Sequence, residues 1–262
     1  MLSGRDAVGT RALTRMSHML ISPRDLAADP AVQAAVAREL EGGPRPALPK
    51  SALSRLDLHP TQMTVGLREV AQKRLRWRSR IRKAGQRGAP RLVAPVVRGP
   101  PGVLYLIDRH HLVRAVEEEG VHEVLIRPIA DFTALQPDDF WRALDARGLC
   151  HPYDADGRRR AFDEIPAAIS ALLDDPYRSL ASALRRAGGF AKKSTPFSEF
   201  AWADFLRRRV SREALGADFE GALGQALVLA RSPTARDLPG WMPEPQWKLD
   251  ASASSTSPNV AR

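Results

Sequence analysis

The most regular pattern in the chain is the three- and four-residue spacing of LREVAQKRLRWRSRIRKAG, where Leu67, Val70, Trp77, Ile81 and Ala84 share one helical face interrupted only by Arg74. The alternation within RLRWRSRIR also suits a strand, but its continuity with LREVAQKR and Gly85 as a stop favour a helix. Around it the apolar runs are short. SRLDLHP reads as a strand closed by Pro60, LVAPVV and VLYLID as strands joined by the RGPPG turn, and HEVLIRPI as a further strand. Between the last two, HHLVRAVEEEG reads as a helix ended by Gly120.

Further along, the pattern turns helical. QPDDFWRALDARG begins with an acidic turn and stops at Gly148, and DDPYRSLASALRRAGG has Pro176 in its first turn with Asp174 or Asp175 as the cap. TPFSEFAWADFLRRRV sets Phe197, Phe200, Ala201, Phe205 and Leu206 at helical spacing, and EALGADFEGALGQALVLARS follows as another helix. The expected class is α+β (α/β), a small mixed sheet with helices plus a helical C-terminal half. The expected divisions are an arm and linker over 1–50, an α/β core over 51–135, a helical cap on the sheet over 136–235 and a tail over 236–262. The arm carries one short helix, PAVQAAVARELEGG, before the linker PRPALPK. The tail is rich in Pro, Ser and Ala and lacks periodicity, with Trp241 and Trp247 as candidates to pin its start.

Composition narrows the class of protein. At 262 residues and 44% hydrophobic content the chain can bury a sizeable core. It holds no apolar run of about 18 residues and no secretory pattern at its start, so a soluble, cytoplasmic protein with no membrane partner is expected. The single cysteine, Cys150, leaves no internal disulfide and no Cys-based zinc spacing.

Charge changes the picture once it is located. Arg68 to Arg98 holds eleven Lys or Arg against one acid, Glu69, so this strip accounts for the net +10 of the whole chain. Such a strip suits a polyanion, because neutralised phosphates release counterions whatever the base sequence. A solvated, arginine-rich helix face would read the same way.

The candidate chemistry lies in LYLIDRHHLVRAVEEEG, where a strand runs through Asp108 into a helix. A helix start leaves backbone N–H groups unpaired and carries the positive end of the dipole, which favours an anion such as phosphate, with His110 and His111 as donors. Asp108 as a simple helix cap would also account for the sequence. Adjacent histidines diverge from a helix start, so no metal site built on both is expected.

The order PTQMTVG, a Lys/Arg-rich helix, IDRHHLVRA, DDPYRSLASALRRAGGFAK and PFSEFAWADFLR resembles the ParB-like nuclease group of the ParB/sulfiredoxin superfamily over about residues 53–212. The resemblance implies a compact ParB/sulfiredoxin-like mixed sheet whose loop-to-helix motif holds nucleotide or phosphate. The family forms of that motif are Gly-Glu-Arg-Arg-x-Arg-Ala, Gly-Cys-His-Arg and Asp-Gly-His-His-Arg, whereas this chain has Asp108-Arg109-His110-His111-Leu112-Val113-Arg114-Ala115. Arg109 stands where the family has its glycine and Leu112 where it has an arginine, which removes backbone freedom and a bidentate phosphate clamp. Arg109 or Arg114 is the candidate replacement, and His110 at the sulfiredoxin cysteine position argues against sulfinic-acid reduction.

The resemblance also implies an acid near the first helix as base for a substrate hydroxyl, with Glu69 or Asp108 as candidates. Lys73 lies one turn beyond Glu69, a spacing that a surface ion pair would share. The expected phosphate- or nucleic-acid-binding set is Arg109, Arg114, Lys73, Arg74, Arg76, Arg78, Thr61, Gln62 and Thr64, with Asp108, His110, His111 and Glu69 as the catalytic set. Mg or Mn and a nucleotide are the expected cofactors, and nucleic acid or a nucleotide the expected partner. Tyr177 and Leu180 read as core anchors. Asp154, Asp156 and Gly157 follow a calcium-loop order without its terminal Glu and read as a turn; Cys150 beside His151 reads as an inert thiol.

Two functions fit these residues. One is phosphoryl transfer or phosphodiester hydrolysis, which needs positioning and charge neutralisation more than a covalent nucleophile. The other is a non-catalytic DNA-binding or nucleotide-sensing module that uses the 68–98 strip.

Overall fold

The computed structural model describes residues 57–84, 92–193 and 197–243, and the backbone of Leu53–Arg55. All lie in one compact unit, Gly43–Arg262. The expected arm helix and linker, the Gly85 stop and Trp247 with the rest of the tail fall outside the described residues.

In chain order the elements are β1 (Leu53–Arg55), β2 (His59–Pro60), β3 (Thr64–Val65), α1 (Leu67–Ala84), β4 (Val93–Arg98), β5 (Leu104–Leu106), α2 (His110–Glu117), β6 (Glu123–Asp131), α3 (Pro137–Ala146), β7 (Leu173–Asp174), α4 (Pro176–Arg186), α5 (Ser198–Arg207), α6 (Arg212–Ala217) and α7 (Phe219–Arg231). Five strands form a mixed sheet in the order β1-β6-β4-β5-β2, and β3 pairs with β7 in a separate parallel ribbon. Within the large sheet β6 runs antiparallel to β1 and parallel to β4, while β5 runs antiparallel to β4 and parallel to β2. The class is therefore α+β, as the pattern predicts.

Period-two alternation sorts the strands between two cores. Ala94, Val96 and Leu106 face one core with Val70 and Trp77 of α1 and Val113 and Val116 of α2. Val97 and Tyr105 face the other with Phe140 and Leu144 of α3. Pro128, which has no N–H for the ladder, sits opposite Val96, and the β4–β6 register slips by one residue immediately after it. A third core, around Trp202, Tyr177, Leu180 and Leu184, gathers α4 to α7. It meets the sheet half where α4 lies beside α1. Among the described residues no helix is long and apolar enough to cross a membrane.

Four readings of the pattern need correction. SRLDLHP forms two short strands, β1 and β2, instead of one. Only Val70, Trp77 and the acid Glu69 are buried on α1, while Leu67 and Ile81 of the expected stripe stay exposed. The helix expected through EALGADFEGALGQALVLARS breaks into α6 and α7 because Asp218 caps the second, accepting the Gly221 N–H at 2.9 Å. Asp108 does not cap α2, whose N-cap is Arg109. At α4 the cap is Asp175, which accepts the Tyr177 N–H at 3.0 Å. Trp241 packs against the helical core.

One tight approach between the halves is at Gly66, just before α1. A Cβ there would lie 2.4 Å from Ser179 Oγ and 2.7 Å from the Ser179 backbone nitrogen of α4. Gly66→Ala is therefore expected to lower unfolding free energy by about 1–3 kcal/mol in urea denaturation. An unchanged midpoint would show that α1 and α4 do not meet this tightly.

A candidate phosphate-binding cleft

The chain leaves β5 at Leu106 and enters α2 through Arg109, whose backbone sits in the left-handed region at φ 71°, ψ 19°. This is a conformation that glycine adopts freely and a side chain resists, so Arg109 keeps the backbone path of a glycine at that motif position. Two bonds hold it there: its N–H donates to Asp108 Oδ1 at 2.6 Å, and its Nη1 donates to the Val93 carbonyl at 2.9 Å.

The histidines that follow turn inward. His110, 3% exposed, accepts the Thr61 N–H on Nε2 at 3.2 Å and bonds the Leu106 carbonyl, to which the Thr61 hydroxyl also donates at 2.9 Å. Burial lowers its pKa to about 3 and keeps it neutral. His111, 7% exposed, accepts the Gly66 N–H on Nε2 at 2.9 Å, and burial and Arg178 likewise hold it far below its usual range. Both rings thus use Nε2 as an acceptor. They fix the chain on either side of β3, at Thr61 and Gly66, rather than presenting that nitrogen as the anion donor expected from sequence.

Glu69, in the first turn of α1, is the charged centre. It is 6% exposed, with Lys73 Nζ 3.1 Å from Oε1 and Arg178 Nη1 3.1 Å from Oε2. Burial opposes its ionisation, while the fixed cations Arg178 and Lys73 pull the carboxyl below the ordinary range. His111, whose Nε2 lies 3.4 Å from Oε2, adds to this only when protonated, which the Gly66 bond disfavours. The Glu69–Lys73 spacing read from sequence is therefore a real pair, set in a buried network instead of on the surface.

Arg178 of α4 closes the arrangement. Its Nη2 reaches Glu199 Oε2 at 3.4 Å, its guanidinium lies 5.1 Å from the Phe200 ring centre, and Glu199 Oε1 is in turn paired with Arg185 Nε at 2.9 Å. The Arg178 Nε is buried with no hydrogen-bond partner. These side chains open on a cleft of about 530 Å³, lined also by Gln62, Asp108, Arg109, Lys192 and Lys193. Six Lys or Arg face three acids along its wall, so its field favours an anion.

Of the residues singled out from sequence, Glu69, Lys73, Gln62, Asp108, Arg109, His110 and His111 line this cleft. The rest do not. Thr61 and Thr64 are buried behind it, Thr61 bonded to Leu106 and His110 and Thr64 in the β3–β7 ribbon. Arg114 turns away to the Ile169 carbonyl at 2.9 Å, the Ser170 carbonyl and Glu118, so it does not replace the missing clamp. Arg74 pairs with Glu118 and Glu119, Arg78 with Glu119, and Arg76 is exposed on α1 near Arg186. Sequence reasoning did not single out Arg178, Arg185 or Glu199. The one signal was the seven-residue spacing of Arg178 and Arg185, which puts both on one side of α4.

Two other candidates carry no chemistry here. Burial and Asp145 push the Cys150 thiol up, away from thiolate. Asp154 Oδ1 accepts the N–H groups of Asp156 and Arg158, which makes that segment a turn.

The sequence pattern of the family described as "Putative ParB-like nuclease" matches residues 52–208, a span that includes every cleft residue named above. The chain is also similar to a solved crystal structure, protein Atu1540 from Agrobacterium tumefaciens. The identity is 48% and the TM-score 0.69, covering 74% of this chain and 98% of that one. No curated protein matches it.

Burial of neutral histidines sets an acid limit on the fold. His110 and His151 are both lowered to about 3, chiefly by burial, so between pH 6.5 and 3 the unfolded chain takes up protons that the folded chain refuses. Stability is present above pH 6.5 and is lost as pH falls. Asp175, raised to about 6 by burial against the pull of Arg207, acts in the opposite sense: its contribution is present below 3.8 and lost as pH rises through 6. Replacing His151→Phe keeps a ring between Phe197 and Phe200 and should remove about 1.4 kcal/mol per pH unit from the slope of stability between pH 6 and 4. Equal slopes for the two proteins would refute a neutral His151.

Proposed function

The chain belongs to the ParB-like nuclease family, and from that premise we propose that the cleft binds a phosphate of a nucleotide or nucleic acid and carries out phosphodiester hydrolysis or phosphoryl transfer. The observation that supports this best is Arg178, a buried guanidinium with its Nε unpaired, on a cleft where cations outnumber acids. An unpaired buried donor is costly in the free protein, and a phosphate oxygen would satisfy it.

Each side chain then has a role. Arg178 and Lys73 neutralise the phosphate. Glu69 takes the proton of the attacking water or hydroxyl as its oxygen bonds to phosphorus and the leaving oxygen departs. Held between two cations Glu69 is a weak base, but a phosphate that engages Arg178 and Lys73 adds negative charge beside it and raises its proton affinity. His110 and His111 are positioning residues that hold Thr61 and Gly66 on either side of β3, and through them the start of α1. Mg or Mn is the divalent ion such a reaction is expected to use; among the described residues no three His, Cys, Asp or Glu gather to hold one, so an ion here would be held by one or two carboxylates and the substrate phosphate.

A second reading, binding without turnover, draws on α1. Arg76, Arg80, Arg82 and Lys83 are exposed there with no ion pair to any described residue, which suits contact with backbone phosphate. Arg74 and Arg78 are paired with Glu118 and Glu119, which leaves fewer cations of the 68–98 strip open to phosphate.

The decisive assay is turnover of DNA, RNA and nucleoside phosphates with Mg²⁺, Mn²⁺ or chelator. Glu69→Gln should lower kcat at least about 100-fold while leaving a phosphate ligand bound. Arg178→Lys, which keeps the charge and loses the fork, should weaken that ligand about tenfold. Turnover indifferent to Glu69→Gln would end the catalytic reading. Binding that falls steeply with salt, without turnover, would favour the second.

A further inference from the structure

We propose that the part of the cleft walled by Phe197 and Phe200 seats the base of a single nucleotide unit, so that the ligand is a free nucleotide or an unpaired nucleotide of a single strand. This rests on the reading of Arg178 as the phosphate site and adds the identity of what the phosphate carries.

Among the described residues only two non-glycines have positive φ, Arg109 at 71° and Phe197 at 55°, and both line this cleft. Phe197 is the N-cap of α5 and makes no side-chain cap bond, although its carbonyl accepts the Phe200 and Ala201 N–H groups at 2.9 and 3.1 Å. A bulky residue keeps such a conformation where its surroundings over-determine it, and such residues cluster at ligand sites. Nor does core packing account for it: Phe197 belongs to none of the three hydrophobic cores and is only partly buried, whereas its neighbour Phe200 is buried.

What surrounds Phe197 is a stack of rings. His151 lies 5.1 Å away at 29°, nearly parallel, and 3.9 Å from Phe200, which itself stands 5.8 Å from Phe197. His151 is neutral, so it backs the stack as an aromatic face and brings no charge. Phe200 also lies under the Arg178 guanidinium at 5.1 Å, which links the phosphate donor to the ring wall in two short steps. Lys192 and Lys193 are exposed on the same cleft and suit the further phosphates of a strand or polyphosphate. A base has an aromatic face whatever its identity, so such a platform accepts any of them. In a duplex that face is already stacked and paired and reaches the wall only if the nucleotide is turned out.

Calorimetric titration of the full chain separates these ideas. Wild type should bind nucleoside 5′-monophosphates about tenfold more tightly than ribose 5-phosphate, which has no base. Phe197→Leu should abolish that difference while ribose 5-phosphate binds as before, and Phe197→Trp should keep it. A short single strand should displace the nucleotide, and the blunt duplex of the same sequence should not. Equal binding of nucleotide and ribose 5-phosphate by wild type, a preference that survives Phe197→Leu, or displacement by duplex as readily as by single strand overturns the base platform and leaves the phosphate site standing. Binding of neither ligand overturns both. Thermal melts of each variant establish that it is folded before titration.

Discussion

Charges removed from water persist only where each is answered, and Glu69 and Arg178 answer each other across 109 residues of sequence. One sits in the first turn of α1, the other in the first turn of α4, so the pair can form only when the sheet half and the helical half are both assembled. Such a pair adds little net stability, because desolvation cancels most of the attraction, but loss of one partner strands the other. Its effect is therefore mainly geometric. It fixes the wall of the cleft, and Lys73, Glu199 and Arg185 extend it into a chain of alternating charge.

The histidine pair has a different standing from the one its sequence suggests. Side by side before a helix, two imidazoles look like a donor set or a ligand set. In the fold each accepts a backbone N–H, from Thr61 and Gly66, and burial keeps both neutral. The motif thereby organises the loop that delivers Glu69. Arg109 belongs to the same local logic: its side chain and backbone are both tied down, so the arginines that α4 brings to the cleft, Arg178 and Arg185, come from another element.

Local pattern carried most of the elements and the local half of the site. The α1 periodicity, the Pro176 start of α4 and the glycines after α2 and α3 all correspond to observed boundaries, because propensity, capping and packing agree there. The break at Asp218 was hidden because helix-forming residues lie on both sides of it. The left-handed cap at Arg109 was hidden because only glycine advertises that conformation in a sequence. Arg178 was invisible for another reason. It sits between the apolar anchors Tyr177 and Leu180, and its meaning comes wholly from a carboxylate 109 positions away.

Gly66 joins these threads at a single peptide. Its N–H is held by His111 from α2, Ser179 from α4 leaves no room for a Cβ on it, and the next residue, Leu67, donates its N–H to Asp174 at 2.8 Å. Two segments far away in the chain, at His111 and at 174–179, thus converge on Gly66 and Leu67. Opening either of them exposes an amide there to solvent and dismantles the mouth of the cleft in the same event, so the site and this junction form one cooperative unit of local unfolding rather than a pocket carved into an independently stable scaffold.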